Sequence, residues 1–194
     1  MNPISKADIS AVILAGGKAS RMQGQDKGLI LFNQKPLIGH VVDVIKNTVD
    51  SIWVSANRNL DAYQAFGQVI SDELTDYQGP LAGISSALSH TTKPYLLILP
   101  CDGPYVQTVL LQRLAQVMVE TDAKACVAVE NDHMHPTFAL VHADMAPALA
   151  AYLASGQRQL RRFFLDNQAE LVDFSDYPRM FVNLNSPEDF TTNA

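Results

Sequence analysis

The feature that most constrains the fold is an alternation of strand-like and helix-like segments along the 194 residues. Residues 95–99 are almost wholly apolar, as is typical of a central strand covered on both faces. This alternation predicts an α/β fold, a three-layer sandwich in which helices cover both faces of a mostly parallel, Rossmann-like sheet. No repeat or linker interrupts the pattern, so we expect a single domain over residues 1–194, with a core at about residues 9–190.

Local patterns give the individual elements. Apolar and β-branched runs predict strands at residues 9–13, 51–55, 69–70, 95–99, 126–129, 137–141, 171–174 and 181–184. Helical spacing of apolar side chains predicts helices at residues 37–47, 60–66, 80–88, 106–118, 149–153 and 160–164, and from residue 186 onward. In such sheets ligands bind beyond the carboxyl ends of the parallel strands, where the functional residues are therefore expected.

Composition and charge exclude several classes of protein. A net charge of −6 argues against nucleic-acid binding, which normally needs a basic face. Only two cysteines occur, Cys101 and Cys126, both in apolar contexts, which predicts buried thiols in a reduced, cytoplasmic protein. The first residues are too polar for a signal peptide, and no apolar run is long enough to span a membrane. We therefore expect neither a nucleic acid nor a membrane as a partner.

A glycine-rich and cationic loop follows the first predicted strand. Its glycines allow backbone N–H groups to approach an anion, and Lys18, Arg21 and Lys27 can neutralise phosphate charge. The spacing matches neither a Walker loop, since Ala19 follows Lys18, nor a dinucleotide-binding fingerprint. The loop is therefore interpreted as a third kind of phosphate-binding loop, with an ordinary strand-to-helix turn as the alternative.

Polar residues follow four of the predicted strands, and Asp102 is the most informative of them. It follows the apolar strand 95–99, between Pro100 and Pro104 and beside a glycine. A carboxylate there suits Mg²⁺, which takes one or two carboxylates together with waters and phosphate oxygens of a substrate. The alternative is a helix N-cap, because a helix is predicted to begin near Val106.

These segments together resemble the nucleotidyltransferases that join a metabolite to a nucleoside monophosphate, and most of all the molybdenum cofactor guanylyltransferases. The segments that carry the resemblance are 14–17, 21–22, 26–27, 35–37, 79–83, 100–105, 135–137 and 183–188. The resemblance covers residues 9–190 and implies a fold of the nucleotide-diphospho-sugar transferase type. It also implies a reaction in which GTP and molybdenum-bearing molybdopterin give the guanine dinucleotide cofactor and pyrophosphate, with Mg²⁺ required. Implied candidate partners are other cofactor-biosynthesis proteins and recipient molybdoenzymes.

The resemblance also implies roles for individual residues. Backbone groups of Leu14, Ala15 and Gly16 would contact the nucleotide, and Gly17 would let the triphosphate approach. Arg21 and Lys27 would meet phosphate charge, with Lys27 stabilising the transition state. Asp102 would hold the metal.

Further residues would recognise the base and the pterin. Asp72 matches the acidic nucleotide-binding position and could accept the two adjacent donors of guanine, or it could be a solvated loop residue. Ser55 stands where the family usually carries Asn, so Asn57 could serve in its place. His135, Asn183 and Asn185 are polar residues in apolar segments and are candidate pterin contacts.

Two other functions remain open from the sequence. A cytidylyltransferase or sugar-nucleotide enzyme could use the same fold, because base choice depends on few contacts. A non-catalytic carrier of the nucleotide or cofactor is the other alternative. The presence of Arg21, Lys27 and Asp102 together argues against a carrier, since a pure binder does not need a placed metal.

Overall fold

The computed structural model describes residues 3–16, 26–71 and 79–184. The strands are β1 (Ile9–Leu14), β2 (Leu31–Phe32), β3 (Lys35–Pro36), β4 (Ser51–Ser55), β5 (Gln68–Ile70), β6 (Tyr95–Pro100), β7 (Ala125–Glu130), β8 (His133–His142) and β9 (Glu170–Asp173). The helices are α1 (Leu37–Ile45), α2 (Leu60–Tyr63), α3 (Pro80–His90), α4 (Thr108–Thr121), α5 (Ala146–Ala154) and α6 (Leu160–Asp166).

Seven strands form the central sheet in the order β5-β4-β1-β6-β8-β7-β9, and β2 pairs with β3 in a separate hairpin. The four strands β5, β4, β1 and β6 are parallel, and β9 is parallel to β7. Only β8 runs against its neighbours β6 and β7 in this sheet. The sheet is therefore mostly parallel, as the alternation of elements predicts.

Helices pack on both faces of the sheet because the strands are apolar on both faces. In β1, Ile13 belongs to the core on one side and Val12 to the core on the other. Helices α1 and α4 contribute to the first core, and α3, α5 and α6 contribute to the second. The predicted three-layer sandwich is confirmed.

The prediction of a last strand at residues 181–184 is wrong. These residues form a turn and an irregular segment, although Phe181 and Leu184 are both buried. The apolar pattern reflects burial without strand pairing: Leu184 packs with Phe32 and Leu37, and its N–H donates to the Asp102 carbonyl at 3.1 Å. The helix predicted from residue 186 lies outside the described residues. None of the helices in the described ranges combines the length and apolarity that a membrane crossing needs.

Candidate active site

The carboxyl ends of three parallel strands meet at one edge of the sheet. In the register of β1, Leu14 lies beside Ser55 of β4 and beside Pro100 of β6. Two hydrogen bonds continue this pairing past the strand ends: Ala15 N–H donates to the Ser55 carbonyl at 2.8 Å, and Cys101 N–H donates to the Leu14 carbonyl at 3.2 Å. The backbone of the predicted nucleotide-binding segment is thus fixed against both neighbours.

Lys27 and Asp102 form an ion pair at this edge. They are 75 residues apart in the chain, and the Lys27 ammonium donates to the Asp102 carboxylate. Lys27 begins the short 3₁₀ turn Lys27–Leu29, and Asp102 follows β6. The two side chains are 25% and 13% exposed, so the charges are only partly screened by water. A phosphate group that contacts the Lys27 ammonium would therefore also lie beside Asp102.

Asp102 does not cap a helix. Helix α4 begins at Thr108 and its N-cap residue is Gln107, which removes the alternative role for the Asp102 carboxylate. Within the described ranges, no group of three or more His, Cys, Asp or Glu residues is placed to hold a metal ion. A single partly buried carboxylate still fits Mg²⁺, which can take most of its ligands from water and substrate phosphates.

Ser55 and Asn57 are placed differently around the strand ends. The Ser55 side chain is buried against α3, where a Cβ at Gly83 would overlap the Ser55 Oγ. Asn57 is exposed, and its Nδ2 lies 3.7 Å from the position that a Cβ at Gly16 would take. Asn57 is therefore the better placed side chain toward the predicted nucleotide loop, while the Ser55 carbonyl holds Ala15.

A buried carboxylate next to Lys27 was not assigned a role from the sequence. Asp26 is 9% exposed, and its carboxylate accepts a hydrogen bond from the Tyr63 hydroxyl at 2.5 Å and one from Asn59 Nδ2 at 3.2 Å. Both donors come from the start and the end of α2. In the sequence this contact is indicated only by Tyr63, on the apolar side of a short predicted helix, and the pattern does not reveal that Asp26 is its partner.

His135 lies in an aromatic cluster at the same edge of the sheet. Because β8 is antiparallel to β6, its amino end reaches the carboxyl end of β6. The His135 ring stacks on Phe181 with 4.2 Å between centroids, and Phe138 contacts Phe181 edge to face at 5.0 Å. Burial, reinforced by His133, lowers the pKa of His135, although Glu130 opposes this shift.

The cluster continues to Asn183 and so to Asp102. A Cβ at Gly103 would lie 3.1 Å from Phe138 Cζ and 3.5 Å from Asn183 Oδ1, so only a glycine fits easily between these side chains. His135 and Asn183, predicted as pterin contacts, thus lie on the β8 side of Asp102. Four other predicted site residues, Gly17, Arg21, Asp72 and Asn185, lie outside the described residues.

The fold is that of the nucleotidyltransferases. A solved structure with the same fold is the molybdopterin-guanine dinucleotide biosynthesis protein A of Archaeoglobus fulgidus, with a TM-score of 0.75, 20% identity, and coverage of 94% of this chain and 95% of that one.

Residues 11–171 match the MobA-like NTP transferase domain, and the chain belongs to this family. It is 46% identical to the molybdenum cofactor guanylyltransferase of Vibrio campbellii over 93% of this chain and 92% of that protein. It is 43% identical to the protein of the same name from Vibrio cholerae, over 96% and 91% of the two chains.

Proposed function

We propose that this chain transfers GMP from GTP to molybdenum-bearing molybdopterin, forming the guanine dinucleotide cofactor and pyrophosphate. The observation that carries the proposal is the Lys27–Asp102 pair at the carboxyl edge of the sheet, in a chain whose relatives are named molybdenum cofactor guanylyltransferase. The pair brings together a cation that can meet phosphate charge and a carboxylate that can hold a metal ion.

The reaction needs positioning and charge neutralisation more than covalent help. An oxygen of the terminal phosphate of molybdopterin attacks the α-phosphorus of GTP in line, a new P–O bond forms, and the bond to the β-phosphate breaks as pyrophosphate leaves. No general base is required, because the attacking phosphate is already anionic at neutral pH. In this scheme Lys27 neutralises the charge that develops on the α-phosphate, while Leu14, Ala15 and Gly16 present backbone groups to the nucleotide.

Asp102 is proposed to hold Mg²⁺. A bound Mg²⁺ would supply further charge neutralisation for the triphosphate and its leaving group. The support is the position of the Asp102 carboxylate, which contacts Lys27 and takes no part in capping α4. Lys27 would then share its interactions between this carboxylate and the substrate phosphates.

The cluster around His135 is proposed as part of the molybdopterin site. The rings of His135 and Phe181 belong to an aromatic cluster that reaches Gly103, next to Asp102, through Phe138, and Asn183 adds an amide group there. The lowered pKa of His135 favours a neutral ring, which has one donor and one acceptor for a pterin. Asn185 is proposed for the same site from the sequence.

Guanine selection by Asp72 stays a prediction from the sequence. Asp72→Asn should lower the use of GTP more than that of inosine triphosphate, which lacks the N2 donor, typically by about ten- to a hundredfold in specificity. Delivery to recipient molybdoenzymes and a cytoplasmic location are also proposed. The two cysteines, both buried and free, support a reducing compartment.

Mass spectrometry of the reaction product tests the proposed function directly. Purified protein is incubated with molybdenum-bearing molybdopterin, Mg²⁺ and an equimolar mixture of GTP, CTP and UTP, with an Asp102→Ala variant as the control. We expect a guanine dinucleotide product and one pyrophosphate per product from the parent protein only. A cytosine product would reassign the chain to the cytidylyltransferases. Nucleotide binding without pyrophosphate release would make it a carrier.

A further inference from the structure

The turn that carries Lys27 is held to the rest of the molecule at both of its ends. Within Lys27–Leu29 and its flanks, Leu29 N–H donates to the Asp26 carbonyl at 3.0 Å, and Ile30 N–H donates to the Lys27 carbonyl at 3.2 Å. These bonds shape the turn, and its far end is joined to α1 and the core: Leu37 N–H donates to the Ile30 carbonyl at 3.0 Å, and Leu29 packs against the first core. At the other end of the turn, the direction of the Lys27 side chain depends on how the preceding residue, Asp26, is held.

The Asp26 carboxylate provides the anchor at this end. Burying a carboxylate is unfavourable unless donors satisfy it, and Tyr63 and Asn59 supply two. Tyr63 is fully buried, and burial raises the pKa of its hydroxyl, so the group remains a donor. Asn59 has φ +50°, a left-handed conformation that asparagine tolerates better than most residues.

Gly28 brings the turn close to the same hydroxyl. A Cβ at Gly28 would lie 2.6 Å from Tyr63 Oη and 3.3 Å from the Cβ of Cys101, which precedes Asp102. The turn thus packs against Tyr63 and lies directly beside the end of β6. These contacts bring the backbone of the turn close to the end of β6, which Asp102 follows.

We propose that Asp26, Tyr63 and Asn59 form a positioning group that aims the Lys27 ammonium at the reacting phosphates. The inference rests on the proposed role of Lys27 in guanylyl transfer. Asp26, Tyr63 and Asn59 act through Lys27 and do not touch the substrate. Their contribution should therefore appear in turnover and should vanish when the Lys27 ammonium is removed.

The test is a double-mutant cycle on Tyr63→Phe and Lys27→Ala. Tyr63→Phe removes only the hydroxyl, and we expect kcat to fall about tenfold to a hundredfold, with the KM for GTP changed less than threefold. In the Lys27→Ala background the same substitution should have no further effect on kcat. A matched control is Tyr152→Phe, which removes another buried hydroxyl, one that donates to the Gln159 carbonyl at 3.0 Å in the opposite core. This control should leave kcat unchanged.

The outcomes distinguish failure of the positioning role from failure of the proposed function. An unchanged kcat in Tyr63→Phe, or an equal loss with and without Lys27, would overturn the positioning role. If the parent protein itself forms no product, the proposed function fails instead. Should Tyr63→Phe not fold, Asn59→Gly serves as the second variant, because glycine keeps the left-handed backbone while removing the amide donor. It should lower kcat in the parent and not in the Lys27→Ala background.

Discussion

At the scale of single residues, the chemistry of the site depends on the Lys27–Asp102 contact. The two residues come from separate segments, and each provides the opposite charge that the other needs as a partner. A comparable pair, Lys93 and Asp50, lies at the opposite edge of the sheet, just before β6 and β4, with 2.8 Å between Nζ and Oδ2. Its side chains are 28% and 43% exposed, so it is also a partly exposed ion pair, and it serves as a reference for loss of such a pair away from the candidate site.

Removing either member of the site pair should abolish most turnover. We expect Lys27→Ala and Asp102→Ala each to lower kcat by about a hundredfold or more, because charge on the transferring phosphate is no longer neutralised. Lys27→Ala should weaken GTP binding less than it lowers kcat. Lys93→Ala, the matched control, should leave both unchanged. Steady-state kinetics with a GTP-binding measurement checks this, and near-parental turnover of Asp102→Ala in saturating Mg²⁺ would contradict the metal role.

At the scale of elements, the site depends on how closely α3 packs against the ends of β1 and β4. Gly83 allows this approach, since a Cβ there would overlap Ser55 Oγ and lie 3.1 Å from Leu14 Cδ2. The helix follows β5 and returns along the sheet, so its first turns lie near the strand ends. A shift of α3 would move the backbone that is proposed to contact the nucleotide.

Gly83→Ala should therefore destabilise the protein, although alanine is the better helix former. We expect a loss of about 1–3 kcal/mol in the free energy of unfolding, because the added methyl group has no space beside Ser55. Adding Ser55→Gly, which removes the obstructing atoms, should recover part of that loss. Urea unfolding of the two single variants and the double variant measures this. If Gly83→Ala lowers the free energy of unfolding equally in the parent protein and in the Ser55→Gly variant, the Ser55 side chain is not the obstacle.

At the scale of the whole molecule, stability should depend on pH through His135. Its folded pKa is lowered by burial, so the unfolded chain, with a pKa near 6.5, binds the proton more readily. The contribution of His135 to the free energy of unfolding is therefore fully present above pH 6.5, and it is lost as the pH falls through the lower folded pKa.

The free energy of unfolding should thus decrease from pH 7 toward pH 5, and His135→Gln should flatten this part of the profile. His133→Gln should reduce the slope less, because repulsion from His133 is only the second cause of the shift. Urea unfolding at a series of pH values provides the measurement. An unchanged slope in His135→Gln would show that other groups bind the protons.

The amino-acid sequence by itself determined the class of fold and most of its elements. The apolar run 95–99 and the helical spacing of residues 37–47 are local patterns, and each produced the expected element at nearly the expected place. The resemblance identified the enzyme family, which the comparisons confirm. Local patterns failed at residues 181–184, where burial of Phe181 in the first core and of Leu184 against Leu37 and Phe32 gives the apolar pattern of a strand without strand pairing.

Only the tertiary structure decided which functional side chains meet. Nothing near Lys27 in the sequence shows that it contacts Asp102, or that Asp26 is satisfied by Tyr63. His135 reaches the same edge because β8 alone runs against its neighbours in the central sheet, within the part of the chain that the structure describes. Periodicity and backbone preference are properties of neighbouring residues, whereas these contacts depend on strand order and direction, which bring distant segments together.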